Sequence, residues 1–220
     1  MRKPTQRFKA TIVFASLALA LAGNLMIGAS STVTVAPAPV PQTGQRTSYT
    51  TGDDGVLQMG IEWDAATRFT DNGDGTVLDT LTGLIWLKNA DCYGAIGWVQ
   101  GLKNTATLEN GVCGLSDGSA NWDWRLPNVR EMLSLIDYGE YAPALSDGHP
   151  FSVGNIGVYW TSTTDATNQS KAWLVRLTQG DTLRYDKPNA YRVWPVRGEG
   201  ITAFYQYLPL VMERGVIGLR

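Results

Sequence analysis

One histidine and two cysteines are all that 220 residues hold of the side chains that most often ligate zinc or act as nucleophile and base. Structural zinc sites take four such ligands, so this scarcity excludes most of them. Charge is thin as well: 17% of residues are charged, against about 25% in an ordinary soluble domain. Basic residues are scarcer still beyond the N-terminus. Residues 1–31 carry Arg2, Lys3, Arg7 and Lys9 and no acid, which leaves 14 basic against 20 acidic residues in the rest of the chain, a net of −6. Nucleic-acid binding draws most of its affinity from clustered Lys and Arg, so a free-standing nucleic-acid binder is excluded. Past the N-terminal segment, no apolar run approaches the roughly 20 residues that a membrane helix needs. What is abundant is apolar and aromatic bulk: 44% hydrophobic residues, eight Trp and nine Tyr. That is enough to bury a core in one sizeable domain or two small ones.

The N-terminus reads as an export signal. A basic stretch, Met1 to Lys9, precedes the apolar run Ala10 to Ala22, and small residues follow at Gly28-Ala29-Ser30-Ser31. This is the layout of a secretory signal peptide over residues 1–29, with an uncleaved anchor as the alternative. Gly23-Asn24 interrupts the run, which favours cleavage and a mature chain without a membrane span. Residues 30–52 read as a Pro/Thr-rich linker, with Ala36-Pro37-Ala38-Pro39-Val40-Pro41 favouring an extended path. All eight Trp fall between Trp63 and Trp194, which sets the domain at 53–199 and leaves 200–220 as a tail.

Within the domain, Arg68 to Asp79 reads as a β-hairpin, because Asn72-Gly73 and Asp74-Gly75 supply the positive φ angles of a tight turn. The cluster of Asp and Asn there also invites a calcium-loop reading. That template fails, since positions 3 and 5 counted from Asp71 are Gly73 and Gly75. Leu84 to Leu87 reads as a buried strand, and Ile96 to Lys103 as a helix weakened by two Gly. A stronger helix begins at Pro127, taken as its first position, with Val129, Met132, Leu133 and Ile136 on one face. Val158–Thr163, Ala172–Leu177 and Tyr191–Arg197 read as strands. Strands, two helices, then strands indicate an α+β domain. Trp86, Trp98, Trp124, Trp160, Trp173 and Trp194 lie in apolar runs and read as core; Trp63 and Trp122 have polar neighbours compatible with exposure and are assigned to core contact, with exposure as the alternative.

An isolated cysteine pair in an exported chain reads as a disulfide, Cys92 to Cys113. His149 sits in the turn Asp147-Gly148-His149-Pro150 with no base–nucleophile partner in sequence, and Asp71, Asp74 and Asp123 read as turn or salt-bridge residues. No catalytic residue, metal site or cofactor is assigned.

Five segments carry a resemblance. They are Arg68 to Val77, Thr82-Gly83-Leu84-Ile85-Trp86-Leu87-Lys88-Asn89-Ala90, Asp123-Trp124-Arg125-Leu126-Pro127-Asn128-Val129-Arg130-Glu131, Tyr159 to Thr164, and Val193-Trp194-Pro195-Val196-Arg197-Gly198. In this order the chain resembles the bacterial Lcl C-terminal domain family, long described as a domain of unknown function, over about residues 52–198. The resemblance implies a C-type-lectin-like fold, with two helices against small antiparallel sheets, on a secreted or surface-displayed protein. The family's namesake is an adhesin domain that binds sulfated glycans. The same fold group includes formylglycine-generating enzymes, but these depend on late cysteines and this chain has none after Cys113. Calcium-dependent lectins use Glu-Pro-Asn or Gln-Pro-Asp with Trp-Asn-Asp; here Lys187-Pro188-Asn189 places a cation where the carboxylate belongs.

The resulting expectation is a secreted or cell-surface, noncatalytic, adhesin-like module that recognises an extracellular glycan or protein. The alternatives are a structural envelope protein or a hydrolase-type enzyme. The residues expected to carry recognition are Asp165, Asn168 and Lys171 in one loop and Arg184, Tyr185, Lys187 and Asn189 in another, a mix of aromatic, amide and charged groups on turns. A sulfated ligand would need Lys171, Arg176, Arg184 and Lys187 to gather against the negative net charge.

Overall fold

A computed structural model describes residues 40–154 and 157–198. The expected signal peptide, the start of the expected linker and the tail after residue 199 lie outside the described residues. Short helices α1 (Asp54–Leu57) and α2 (Ala65–Arg68) lead into strands β1 (Phe69–Asp71), β2 (Thr76–Asp79), β3 (Ile85–Leu87) and β4 (Ala95–Ile96). Helices α3 (Trp98–Ala106) and α4 (Val129–Ser134) follow, and then β5 (Val158–Thr164), β6 (Lys171–Arg176), β7 (Asp181–Asp186), β8 (Tyr191–Arg192) and β9 (Val196–Arg197). Two sheets result, ordered β1-β2-β3-β9 and β4-β8-β5-β6-β7, antiparallel throughout except where β5 meets β8. The class is α+β, as expected.

The β1–β2 hairpin forms where the turn residues placed it. Gly73 and Gly75 adopt φ of 78° and 87°, a region open to Gly and strained for other residues. Asp74 Oδ1 accepts from the Thr76 amide (3.0 Å) and hydroxyl (2.6 Å), so this oxygen ties the turn itself. In α3 the expected weak point, Gly101, has a packing reason. A Cβ there would lie 2.6 Å from Val193 Cγ1, so only Gly lets the helix approach the buried strand segment.

Helix α3 spans Trp98–Ala106 rather than Ile96 to Lys103, with Ile96 in β4, and two further boundaries bear on the core. Helix α4 starts two residues after Pro127, because Asn128 caps it. The Asn128 side chain accepts from the Arg130 and Glu131 amides while Glu131 reaches back to the Asn128 amide, a reciprocal capping box. Met132, Leu135 and Ile136 are buried, whereas Val129 and Leu133 are half-buried. The second of these lies at Tyr191–Arg197, expected as one strand. It splits into β8 and β9, which belong to different sheets. Val193, Trp194 and Val196 are buried because this segment passes between the two sheets, and Trp194 Nε1 donates to the Leu87 carbonyl at 2.8 Å.

The aromatic and aliphatic core gathers on both sides of that crossing. Trp86, Trp124, Tyr159 and Trp194 pack with Met132, Leu135 and Val175 in one cluster, and Trp160, Leu126, Leu174 and Val193 in a second. Cys92 and Cys113 are joined, with Cα atoms 5.7 Å apart across 21 residues of sequence. The expected linker is shorter than its sequence suggests, since residues from 40 onward lie on the domain. The Gln42 amide donates to the Ile61 carbonyl (3.0 Å) and the Ile61 amide to the Val40 carbonyl (2.7 Å), the Tyr138 amide donates to the Thr43 carbonyl (2.8 Å), and Trp63 Nε1 donates to the Gln42 carbonyl (2.9 Å). Trp63, only 6% exposed, anchors this extension. Among the described residues, no helix is long and apolar enough to cross a membrane.

Candidate ligand-binding site

The residues expected to bind ligand lie along the β5–β6 loop, the start of β6, strand β7 and the turn after it, at the β6–β7 side of the five-stranded sheet. Arg184 and Tyr185 lie on strand β7, where a loop was expected. Arg184 stands opposite Trp173 in register, with its guanidinium 5.2 Å from that ring and 3.4 Å from Asp165 Oδ2. Asp165 is buried and accepts from the Thr167 amide (2.9 Å) and hydroxyl (2.8 Å). These two bonds, first the amide and then the hydroxyl, hold its carboxyl below the ordinary aspartate range. Lys171 pairs with Asp186 at 3.0 Å, and Arg176 with Asp181 at 2.5 Å. Lys187 donates to the Thr164 hydroxyl (3.0 Å) and lies 4.0 Å from the Trp98 ring. Tyr185 stacks on Tyr191, Asn168 closes a turn onto Ser170, and Asn189 is exposed in the turn after β7. The cations do not meet at one point: Lys171 and Arg176 stand at opposite ends of β6, and each of the four already faces a carboxylate, a hydroxyl or an indole of this chain. A polyanionic ligand would have to displace these internal partners.

The carboxylates weighed for chemistry are similarly engaged. Asp71 pairs with Lys88 at 2.6 Å, and Asp123 accepts from the Ala120 amide at 2.8 Å. His149 lies half-buried against Phe151, with desolvation lowering its pKa.

Trp122 follows the exposed alternative. Expected in core contact, it is 80% exposed and holds φ of +77°, a conformation rare for a bulky residue. The surrounding turn fixes it there: the Trp122 amide donates to the Ala106 carbonyl (2.7 Å), the Asp123 amide to the Ala120 carbonyl (3.2 Å), and Asn121 bonds Glu109 (2.9 Å). Two residues on, Trp124 is buried and its Nε1 donates to Ser119 Oγ at 3.0 Å. Alternate residues thus send one indole inward and one outward.

Trp122 overhangs a groove of about 530 Å³. Its apolar wall comes from Leu102 and Ala106 of α3 with Trp124 and Leu126, and its polar rim from Arg125, Asn128, Glu131 and Ser162. Arg125 is held in register by two backbone bonds with Val196 (3.0 and 2.9 Å). Its guanidinium forks onto both Glu131 oxygens at 2.7 Å each. A smaller cleft of about 270 Å³ lies beside Trp63 and Arg68, but the Arg68 guanidinium there already pairs with Asp79 and donates to the Ser134 carbonyl.

The other tryptophans all have ring or cation partners. Trp63 lies near Arg46 and Arg68, Trp98 under Lys187, Trp124 under Arg197 and Trp173 under Arg184. Trp86 packs on Trp194, and Trp160 on Tyr191. Among the described residues Trp122 has neither kind of partner. The sequence signal was its polar setting, Asn121-Trp122-Asp123.

No curated protein matches the chain. The model of the Lcl C-terminal domain matches residues 75–197, from the β1–β2 turn to the end of β9, and so takes in the whole groove. That match covers more than half of the sequence, and the chain belongs to the Lcl C-terminal domain family.

Proposed function

We propose that the chain is an exported, noncatalytic, adhesin-like binding module with a C-type-lectin-like fold, which recognises an extracellular glycan or protein at the Trp122 groove. The observation that carries this reading is the exposed, unpartnered indole of Trp122 in a left-handed backbone conformation. Exposure forgoes the burial energy of the largest apolar side chain, and the backbone angle adds strain. A fold that bears both costs at one residue, at the lip of a groove, uses that residue against something outside the chain. Two helices on antiparallel sheets, with α3 packed on β5 and α4 on β5 and β6, support the lectin-like reading. Family membership supports a surface role, and the Cys92–Cys113 bridge supports an oxidising compartment.

The test is an array of extracellular glycans and matrix proteins probed with the purified chain and its Trp122→Ala variant. The expected outcome is that the native chain binds at least one array component and the variant loses that signal. Absence of binding to every component would overturn the reading.

A further inference from the structure

We infer that the groove takes the uncharged pyranose ring of a neutral glycan, an inference that rests on the binding-module reading above and names its ligand class. Charge is the first ground. The groove is lined by one cation and one anion, Arg125 and Glu131, and these neutralise each other through a two-bond fork. A sulfated or carboxylated sugar would meet a guanidinium whose charge Glu131 already offsets, and a cationic ligand a carboxylate already offset by Arg125. A hydroxyl needs neither charge unpaired, because it both donates and accepts and can bridge a guanidinium and a carboxylate that stay paired.

Shape is the second ground. Trp122 offers a flat, electron-rich face next to the apolar wall of Leu102, Ala106 and Leu126. Aromatic faces attract positively polarised hydrogens, and a pyranose ring presents a face of C–H bonds while its hydroxyls radiate around the edge. A ring laid against Trp122 directs those hydroxyls to the rim. There the Asn128 carboxamide spends its oxygen on the helix cap and keeps its nitrogen for a ligand, beside the hydroxyl of half-buried Ser162. A groove of about 530 Å³ falls within the roughly 300–1,000 Å³ of small-ligand sites, whose apolar lining is oriented by a few polar groups.

The third ground is the contrast with the β6–β7 surface. Trp98 and Trp173 lie under Lys187 and Arg184, so their faces are covered by the chain's own cations. At Trp122 the face is open, and a neutral ring displaces no internal partner.

The experiment is isothermal titration of the full chain with neutral tetrasaccharides of glucose, mannose, galactose and N-acetylglucosamine, and with a heparin tetrasaccharide, each at low and high salt. Expected is binding of at least one neutral tetrasaccharide with an affinity that salt leaves unchanged, because no net charge is screened. Trp122→Ala should weaken it by about tenfold or more, as truncation of a central aromatic contact does. Trp122→Tyr, which keeps a flat ring, should retain most of the affinity. Lys171→Ala, Arg184→Ala and Lys187→Ala combined should leave it unchanged. Heparin binding alone, or neutral-sugar binding that survives Trp122→Ala, would overturn the inference while leaving a binding module. No saccharide binding at all would also overturn it, and a protein found on the array that still requires Trp122 would then keep the broader reading alone.

Discussion

At the scale of single residues, Trp122 combines the two costs that folding ordinarily avoids. Its backbone sits at φ +77°, and its indole is exposed. A left-handed angle costs an L-residue roughly 1–2 kcal/mol, and Gly escapes that penalty at an entropic cost of about 0.5–1 kcal/mol. Trp122→Gly should therefore raise stability by about 0.5–1 kcal/mol in chemical denaturation while abolishing whatever the groove binds. A gain in stability paired with a loss of binding is the signature of a residue kept for contact with a partner. A loss of stability would mean that the indole supports the fold after all. Polar neighbours made this exposure readable in principle, yet no pattern of apolar spacing separates an exposed Trp122 from a buried Trp124 two residues away. The difference comes from the turn at Ala120–Asp123 and its bond to Ala106 at the end of α3, which are tertiary.

Among the elements, the most consequential joint is the one between α2, the first hairpin and the end of α4. Arg68 and Asp79 meet through two 3.0 Å bonds with both side chains essentially inaccessible to water. Further contacts hold the pair: Arg68 also donates to the Ser134 carbonyl and lies near the Trp63 and Phe69 rings, and Asp79 accepts from the Leu81 amide (3.1 Å) and the Thr82 hydroxyl (2.8 Å). Removing one partner strands the other charge in the interior. Asp79→Ala or Arg68→Ala should each cost about 3–5 kcal/mol, and the double variant should cost less than their sum. Urea denaturation of the three variants measures this. Much at this scale was legible in the sequence. Turn residues fixed the β1–β2 hairpin, and apolar spacing located α4. Strand β7 was not legible, because Asp181-Thr182-Leu183-Arg184-Tyr185-Asp186 is mostly polar and forms a strand only through its six-residue register with β6. Nor was the break between β8 and β9, since a segment buried on all sides while crossing between sheets looks the same as one continuous buried strand. The capping box moved the start of α4, as Asn128 competes with Pro127 for the helix boundary and satisfies two amides that Pro127 cannot.

For the whole molecule, acid should act in two stages. The folded His149 pKa is depressed by desolvation. The unfolded chain therefore takes up that proton first, and stability declines as pH falls from about 6.5 toward the folded value. Below the ordinary aspartate value of 3.8 a second decline follows. Asp53, Asp71, Asp165 and Asp181 have lowered folded pKa values, held respectively by the Tyr49 amide, Lys88, Thr167 and Arg176. Their stabilisation is present above the unfolded pKa and lost as pH falls through the folded ones. Thermal midpoints across pH 3–8 should resolve both stages, and His149→Phe should remove only the first. A single decline in that variant and the native chain alike would show that His149 has no part in it.

The isolation of Trp122 has one more consequence, and it is optical. Seven of the eight indoles rest against rings or cations of the chain. The eighth stands in water, where indole emission shifts to the red and meets dissolved quenchers first. The protein thus carries its own fluorophore at the lip of the groove, and a guest that covers Trp122 changes the colour of the unlabelled molecule.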